Sequence, residues 1–396
     1  GFKGWVGPDA GEDAKPENFG GGYPNADARY VKEGIEYLEQ VRISREKGEP
    51  RKPYCLVLSL VNPHDVLGYP NSVQFGYTPD EYTGRTITDL PPTVTEQLLK
   101  NGKPMAQLQT NIAADGLLGV LRNDDMKLNY LNFYAYLLTK IDGEIGKFID
   151  VLYDDTKGRR LADDAVVIRL ADHGEMGMSH GGMRQKAFVA YEEALRIPMV
   201  ISNPIVFNKK ESSDELATLI DIFPTISEIV GVSKDSNSRG ESLIPIIEEG
   251  KSVQDSILFT FDDTKSGSNN LPSSVKATNR LRAIRTHDWK YTYYFDSLGR
   301  YQKEYELYDL VNDIEELHNL AYKPEYREQR EYLHQQLMEL EERKLRVNEV
   351  FVNKNNQYEY KTWVETNPNF ETYAYNDIEG YEKDNFDINE EKNTEK

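Results

Sequence analysis

Apolar residues alternate along the first two thirds of the chain between two spacings. Short runs that are apolar on both faces, typical of strands buried in a sheet, lie at 54–60, 165–171 and 198–202. Apolar residues at three- and four-residue spacing, typical of helices with one buried face, lie at 28–47, about 131–152 and about 213–230. This alternation predicts an α/β domain with a mostly parallel central sheet flanked by helices.

The pattern changes from about residue 256. Strand-like segments separated by turns follow, namely ILFTF, LRAIRT, WKYTYYF and YELYDL, and a helical pattern covers 325–346. Strands separated by turns and followed by a helix predict a smaller antiparallel α+β subdomain. We therefore expect three parts: an α/β domain over 1–250, the subdomain over 251–350, and an acidic, Tyr/Asn-rich, poorly ordered extension over 351–396.

Charge excludes several classes of partner. Among the 396 residues, Lys and Arg number 47 against 67 Asp and Glu, giving a net charge of -20. Such a chain repels phosphate backbones, so we expect no nucleic-acid partner. No apolar run approaches the roughly 18 residues that a membrane helix needs, so no membrane span is predicted. Cys55 is the only cysteine, and its place in the run YCLVLSL predicts a buried small hydrophobe.

Asp172 and His173 follow the second predicted strand and precede Gly174. The carboxyl ends of strands are where open α/β sheets bind ligands. Carboxylate and imidazole both bind divalent cations, and a cation there could hold an anionic substrate oxygen. A plainer interpretation stays open: Asp172 caps the next helix, and His173 is satisfied by hydrogen bonds.

Cationic side chains gather nearby in the sequence. His180, Arg184 and Lys186 lie in the segment SHGGMRQK, and His64 follows the first predicted strand and Pro63. Donors of this kind could fix a tetrahedral oxyanion at the same edge of the sheet. The alternatives are a solvated basic loop and a structural histidine.

The order of these motifs resembles the sulfatase family of the alkaline-phosphatase superfamily. The segments that carry the resemblance are NPHD, ADHGE, HGGMRQK, YEEALRIPMVIS, LIDIFPTISEIVG, RAIRTHDWKYTYYF and ELYDLVNDIEELHNLA. The resemblance runs from about residue 1 to 345, and LIDIFPTISEIVG looks like the family's D-x-x-P-T signature at Asp221, Pro224 and Thr225. Several motifs in the right order are far more specific than any one of them.

The resemblance implies roles for the residues named above. Asp172 and His173 would be two ligands of one divalent cation, usually calcium in this family, with manganese or magnesium as alternatives. The family more often has Asn in place of His173, and imidazole is a less natural ligand for calcium, so the metal's identity is open. His64 and Lys186 would hold the sulfate and help the leaving group depart.

The same resemblance extends to the substrate. His180 and Arg184 share the loop with Lys186 and are grouped with the substrate-binding residues, without a firm role. The expected partner is a sulfated small molecule or glycan, and a periplasmic or extracellular location is compatible with the resemblance. The oligomeric state stays open.

One departure from the family pattern bears on activity. Sulfatases carry a pair of metal-binding aspartates and a C/S-x-P-x-R box whose Cys or Ser becomes formylglycine, and this sequence contains no such box. We therefore expect a truncated sulfatase whose formylglycine and remaining metal ligands lie upstream of Gly1, and which does not turn over alone.

Two other functions remain open. One is a phosphodiesterase or phosphonate monoester hydrolase of the same superfamily, in which His180 could serve as an additional metal ligand. The other is a non-catalytic member that binds anions or glycans. Substrate choice would depend on the loop-rich stretch 68–123 and on the subdomain, where Trp289 and Tyr291 either stack on a ring or belong to the core.

Overall fold

The computed structural model describes residues 26–50, 53–207, 211–232, 238–263, 275, 277–296 and 299–345. The glycine-rich opening and the extension predicted over 351–396 lie outside the described residues.

Eight helical segments occur in the described part of the chain. They are α1 (Ala26–Glu46), α2 (Met105–Leu118), α3 (Asp124–Tyr153), α4 (Ser179–Gly182), α5 (Glu192–Leu195), α6 (Ile222–Ile229), α7 (Ile244–Glu249) and α8 (Arg327–Leu345). Short 3-10 turns fill much of the 64–95 stretch. The helices predicted over 28–47, 131–152 and 325–346 are confirmed as α1, α3 and α8.

The 30-residue α3 organises the first core. The Asn123 side chain accepts a hydrogen bond from the Met126 N–H at 2.9 Å, which satisfies one of the free amides at the start of the helix. The buried face of α3 carries Phe133 and Leu137, both without exposed surface. Tyrosines from the loop-rich stretch 68–123 pack against this face, so that stretch contributes to the core.

Two strands pair in the first part of the chain, β1 (Val167–Leu170) and β2 (Met199–Ser202). Both were predicted, but they run antiparallel, with Val167 opposite Ser202 and Leu170 opposite Met199. The mostly parallel pairing inferred from helix–strand alternation therefore does not hold for this described pair. Alternation cannot fix direction here, because the long connection between β1 and β2 contains only one-turn helices, α4 and α5, and no crossover helix.

The strand predicted over 54–60 is not formed among the described residues. Residues 53–60 have no regular secondary structure, and exposed and half-buried positions alternate from 55 to 60. Leu56 packs beside α1 and α3, whereas the next side chain, Val57, is 63% exposed. The prediction that Cys55 is buried is wrong, because the cysteine lies on the exposed side of this segment.

A single helix over 213–230 is also not observed. The chain enters a 3-10 turn at Leu219–Asp221 and then forms the eight-residue α6. Pro224 explains the late start, since proline is tolerated in the first turn of a helix but clashes with the preceding turn in a helix interior. Asp221 holds this entry, because its carboxylate accepts hydrogen bonds from the Thr218 N–H at 2.8 Å and the Glu241 N–H at 2.7 Å.

The second part of the chain matches its prediction closely. Four strands form an antiparallel sheet in sequence order, namely β3 (Ser256–Asp262), β4 (Arg280–Thr286), β5 (Trp289–Phe295) and β6 (Glu304–Asp309). Helix α8 covers one face and buries Leu333, Leu337 and Leu340 against it. The antiparallel α+β architecture predicted for this part is confirmed.

No helix within the described ranges is long and apolar enough to cross a membrane.

Candidate functional site

Asp172 and His173 lie directly after β1 in an exposed turn. The Asp172 side chain is 84% exposed and that of His173 is 41% exposed. The Asp172 carboxylate accepts a hydrogen bond from the His173 N–H at 2.9 Å. Next to them, the Gly174 N–H donates to the Ala194 carbonyl at 2.8 Å, and a Cβ at Gly174 would lie 1.9 Å from the Glu193 carbonyl oxygen. Glycine is therefore required at 174, because this turn packs directly against α5.

The pair presents two converging ligand atoms. His173 Nδ1 lies 2.9 Å from the Gly174 carbonyl oxygen, and because a carbonyl only accepts, Nδ1 must carry a proton. In the neutral ring, Nε2 then offers its lone pair 3.3 Å from the Asp172 carboxylate. Two lone pairs at this separation repel each other unless a proton or a cation lies between them. Two ligand atoms bound at right angles to one metal ion lie about 3.2 Å apart at ordinary metal–ligand bond lengths.

These two residues therefore fit part of a cation site but not a whole one. Among the residues that the structure describes, no group of three or more His, Cys, Asp or Glu could hold a metal ion. Calcium takes six to eight oxygen ligands, so further ligands would have to come from elsewhere.

His64 opens the 3-10 turn His64–Gly68 rather than following a strand. Its side chain is 35% exposed, and Nδ1 lies 3.9 Å from Oδ1 of the buried Asp65. The Tyr77 hydroxyl donates to the other Asp65 oxygen, and burial, reinforced by the negative charge of Asp65, raises the pKa of Tyr77. Asp65 is thus fixed beneath a partly exposed imidazole.

Lys186 is half-buried, and its positive charge acts on the buried carboxylate of Glu175. Glu175 accepts hydrogen bonds from the Tyr130 hydroxyl at 2.5 Å and the Gln185 N–H at 2.9 Å. Burial raises the pKa of Glu175, although these hydrogen bonds and the charge of Lys186 oppose the rise. Glu175 lies three residues after Asp172 and accepts a hydrogen bond from Gln185, the residue before Lys186. It therefore connects the Asp172–His173 turn with Lys186.

The loop over 176–186, which we call the lysine loop, has an unusual backbone. Positive φ angles occur at Met178 (70°), His180 (49°) and Gln185 (75°). A non-glycine residue held in such a region costs on the order of 1–3 kcal/mol and persists only where the surroundings enforce it. Hydrogen bonds from the Met176 N–H to the Gln185 carbonyl at 3.0 Å and from the Met178 N–H to the Met183 carbonyl at 2.9 Å close the loop on itself.

His180 has no exposed surface. Its Nδ1 lies 2.6 Å from Glu96, and its Nε2 lies 3.5 Å from Glu193. The ring stacks on Tyr191, with centroids 3.7 Å apart and planes inclined by 9°. Burial alone would lower the pKa of His180, but the interactions with Glu193 and Glu96 outweigh burial and raise it above 6.5.

Arg184 is also enclosed, with 1% of its side chain exposed. Its Nη2 donates to Asp115 at 2.9 Å and to the Gly119 carbonyl at 2.8 Å, at the end of α2. Direct substrate binding by His180 and Arg184 stays a prediction. The two carboxylates that face His180 argue against it there, whereas Nη1 of Arg184 makes no hydrogen bond to the described residues. Of the predicted cationic residues, Lys186 and His64 retain accessible surface.

The carboxylates that engage the loop were missed in the sequence. Glu96 lies in a proline- and threonine-rich stretch without periodicity, and nothing local marks it. Glu193 lies in YEEALR, which contributed to the family resemblance without suggesting a role for either glutamate. Two aromatic candidates belong to the core, since Tyr291 is 1% exposed and Trp289 packs against the same cluster.

Two family models match the chain in sequence order. The model described as Sulfatase matches residues 1–232, which is more than half of the chain. The model described as N-sulphoglucosamine sulphohydrolase, C-terminal, matches residues 180–343.

Similar proteins include a Delta 4,5-hexuronate-2-O-sulfatase of Bacteroides thetaiotaomicron, which is 24% identical over 290 residues, covering 70% of this chain and 54% of that protein. A structure solved in complex with its substrate D-glucosamine-2-N,6-O-disulfate superposes with a TM-score of 0.63 at 20% identity, covering 81% of this chain and 70% of that one. The phosphonate monoester hydrolase of Agrobacterium radiobacter gives 0.58 at 21% identity, covering 80% and 61%. The chain spans about half the length of the first of these.

Proposed function

Because the chain belongs to the sulfatase family, we propose that this protein hydrolyses a sulfate monoester. The observation that carries the proposal is the match of a sulfatase model and a sulphohydrolase C-terminal model in consecutive order along one chain. The likeness to solved structures at about 20% identity supports the sulfatase-like fold class expected from the sequence.

Catalytic roles are proposed for Lys186 and His64, the two cationic residues with accessible surface. Lys186 would place its ammonium against a sulfate oxygen, where it stabilises the charge that develops in the transition state. His64 would donate a proton to the ester oxygen as the S–O bond breaks, and the negative charge of Asp65, 3.9 Å from Nδ1, would favour the protonated ring.

Asp172 and His173 are proposed as two ligands of one divalent cation. Their convergence at 3.3 Å supports this assignment. A bound cation would supply positive charge to the sulfate oxygens. The imidazole favours manganese over calcium, whereas the family resemblance favours calcium, so metal content must be measured directly.

The proposed nucleophile is a formylglycine, formed from a Cys or Ser in a C/S-x-P-x-R box of a preceding segment. The coding sequence upstream of Gly1 tests this directly. An open frame with paired aspartates and that box supports the proposal, whereas a frame that lacks the box excludes formylglycine chemistry and favours a non-catalytic anion-binding protein.

We further propose a sulfated sugar as the substrate class. One relative is named for a hexuronate 2-O-sulfate and another for an N-acetylglucosamine 6-O-sulfate. A sulfated small molecule of another kind would use the same chemistry, so the two must be compared in one assay.

The experiment uses the full-length protein, with sulfated disaccharides, 4-nitrophenyl sulfate and bis(4-nitrophenyl) phosphate as substrates. We expect sulfate release, and loss of at least about a hundredfold in kcat/KM in Lys186→Ala and His64→Ala, since general acid–base and electrostatic contributions are commonly of that size. Lys32→Ala is the matched control, because Lys32 is 76% exposed on α1. Cleavage of the phosphodiester alone would instead identify a phosphodiesterase of the same superfamily.

A further inference from the structure

Two enclosed cations of the lysine loop face neighbouring parts of the fold. His180 reaches Glu96 in the 92–101 segment and Glu193 in α5, and Arg184 reaches Asp115 in α2. The two residues thus connect one loop to three separate elements, and Lys186 lies two residues after Arg184.

The contacts at His180 enclose its side chain, which has no exposed surface. The backbone N–H of His180 donates to the Thr93 hydroxyl at 2.9 Å, while the ring lies between Glu96, Glu193 and the face of Tyr191. A Cβ at Gly181 would lie 2.9 Å from the Glu96 carbonyl oxygen, so the backbone itself is in close contact at this point. A substrate anion could reach His180 only after these contacts break.

Charge explains why a histidine suits this position. Two carboxylates face its two ring nitrogens: Glu96 lies 2.6 Å from Nδ1, and Glu193 lies 3.5 Å from Nε2, which makes no hydrogen bond within the described part of the chain. A ring protonated on both nitrogens places its positive charge between these two carboxylates. Lys103 is the other cation nearby, at 3.3 Å from Glu96 and 5.0 Å from the centre of the Tyr191 ring. The groups that face His180 are therefore Glu96, Glu193, Lys103 and Tyr191.

We propose that His180 and Arg184 are positioning residues that hold the strained lysine loop and thereby place the ammonium of Lys186, rather than residues that bind substrate. The catalytic role of Lys186 rests on the proposed function, but the positioning itself does not. Removal of either His180 or Arg184 should therefore make the Lys186 ammonium more accessible, whether or not the protein is a sulfatase.

The test measures the reactivity of Lys186 toward acetic anhydride in the chain, relative to that of the exposed Lys32, by mass spectrometry of peptides. Taking the ratio cancels the effect of pH on amines in general. We expect the ratio to rise at least fivefold in His180→Leu and in Arg184→Leu. His180→Asn should lie between the wild type and His180→Leu, because its amide can still donate to Glu96 in place of Nδ1.

The pH profile separates positioning from simple packing. Because the pKa of His180 is raised above 6.5 in the folded protein, its anchoring is complete below about that pH and is lost as pH rises through the folded value. In the wild type, the reactivity of Lys186 relative to Lys32 should therefore increase as pH rises through the folded pKa of His180. His180→Asn, which does not titrate, should show no step.

An unchanged ratio in folded His180→Leu, or an identical alkaline step in His180→Asn, would overturn the proposal. Should His180→Leu not fold, Glu193→Gln replaces it, because that side chain is 28% exposed and its loss removes one of the two charges that face the ring. His318→Leu, at a histidine whose side chain is 73% exposed, is the control and should leave the ratio unchanged. Release of Lys186 in a protein without sulfatase activity would support the positioning and refute only the proposed function.

Discussion

Lys290 joins the C-terminal sheet to the site-bearing part of the chain through a buried ion pair. Its side chain has no exposed surface, and Nζ lies 2.7 Å from Glu192 in α5 and 2.9 Å from Glu316. Glu316 also accepts a hydrogen bond from the Glu192 N–H at 2.8 Å. Replacing Lys290 by Met keeps most of the volume and removes the charge, leaving Glu316 buried without its cation.

The expected loss is about 3–5 kcal/mol in the free energy of unfolding, the range found when one partner of a buried pair is removed. Glu316, at 1% exposed, should account for most of it, because Glu192 is 21% exposed and also faces Arg285 at 3.5 Å. Lys290→Met/Glu316→Gln should recover at least about 2 kcal/mol, since it removes the uncompensated charge as well.

The loss should also depend on pH. Burial raises the pKa of Glu316 above 4.5, although Lys290 opposes the rise. A carboxyl whose pKa is raised on folding destabilises the native state as pH rises through the folded pKa. The free energy of unfolding of Lys290→Met should therefore be near that of the wild type at acidic pH and fall as pH increases. Urea unfolding followed by circular dichroism from about pH 4 to 8 measures this, with Lys251→Met as control, a side chain 71% exposed. A loss below about 1 kcal/mol at neutral pH, or no recovery in the double variant, would refute the reasoning.

Three further outcomes follow from burial and exposure. Phe133 has no exposed surface in the α3 core, so Phe133→Ala should lower the free energy of unfolding in urea by about 3–5 kcal/mol. Leu138 is 43% exposed, so Leu138→Ala should lower it far less. Equal losses would contradict the core assignment. Burial lowers the pKa of His334 from 6.5 to about 4. The buried, neutral His334 therefore destabilises the folded state increasingly as pH falls from 6.5 to about 4. In His334→Leu, the free energy of unfolding should depend less on pH over this range. A wild-type slope retained in that variant would exclude His334 as the cause. Cys55 should react fully with a thiol reagent in the native chain, because it is exposed; protection until denaturant is added would show that it is covered.

The sequence alone determined the helices with regular spacing and the C-terminal sheet. Only residues 287 and 288 separate β4 from β5, so these two strands must pair antiparallel, and local pattern suffices to fix their topology. The pairing of β3 with β4 spans the longer connection 263–279 and is not fixed by a short turn. The same holds for α3, whose apolar spacing and Asn123 cap are local properties. Helix–strand alternation supplied the α/β class, strand ends and the basic segment supplied the candidate residues, and motif order supplied the family resemblance.

Tertiary structure decided the pairing direction of β1 and β2, the exposure of Cys55 and the surroundings of His180. Each depends on contacts between residues far apart in the chain: His180 and Glu96 are 84 positions apart, so no local pattern could connect them. A basic cluster in an acidic chain looks alike in sequence whether its cations face solvent, substrate or buried carboxylates. Only the fold brings the carboxylates to His180 and Arg184 and leaves Lys186 and His64 accessible.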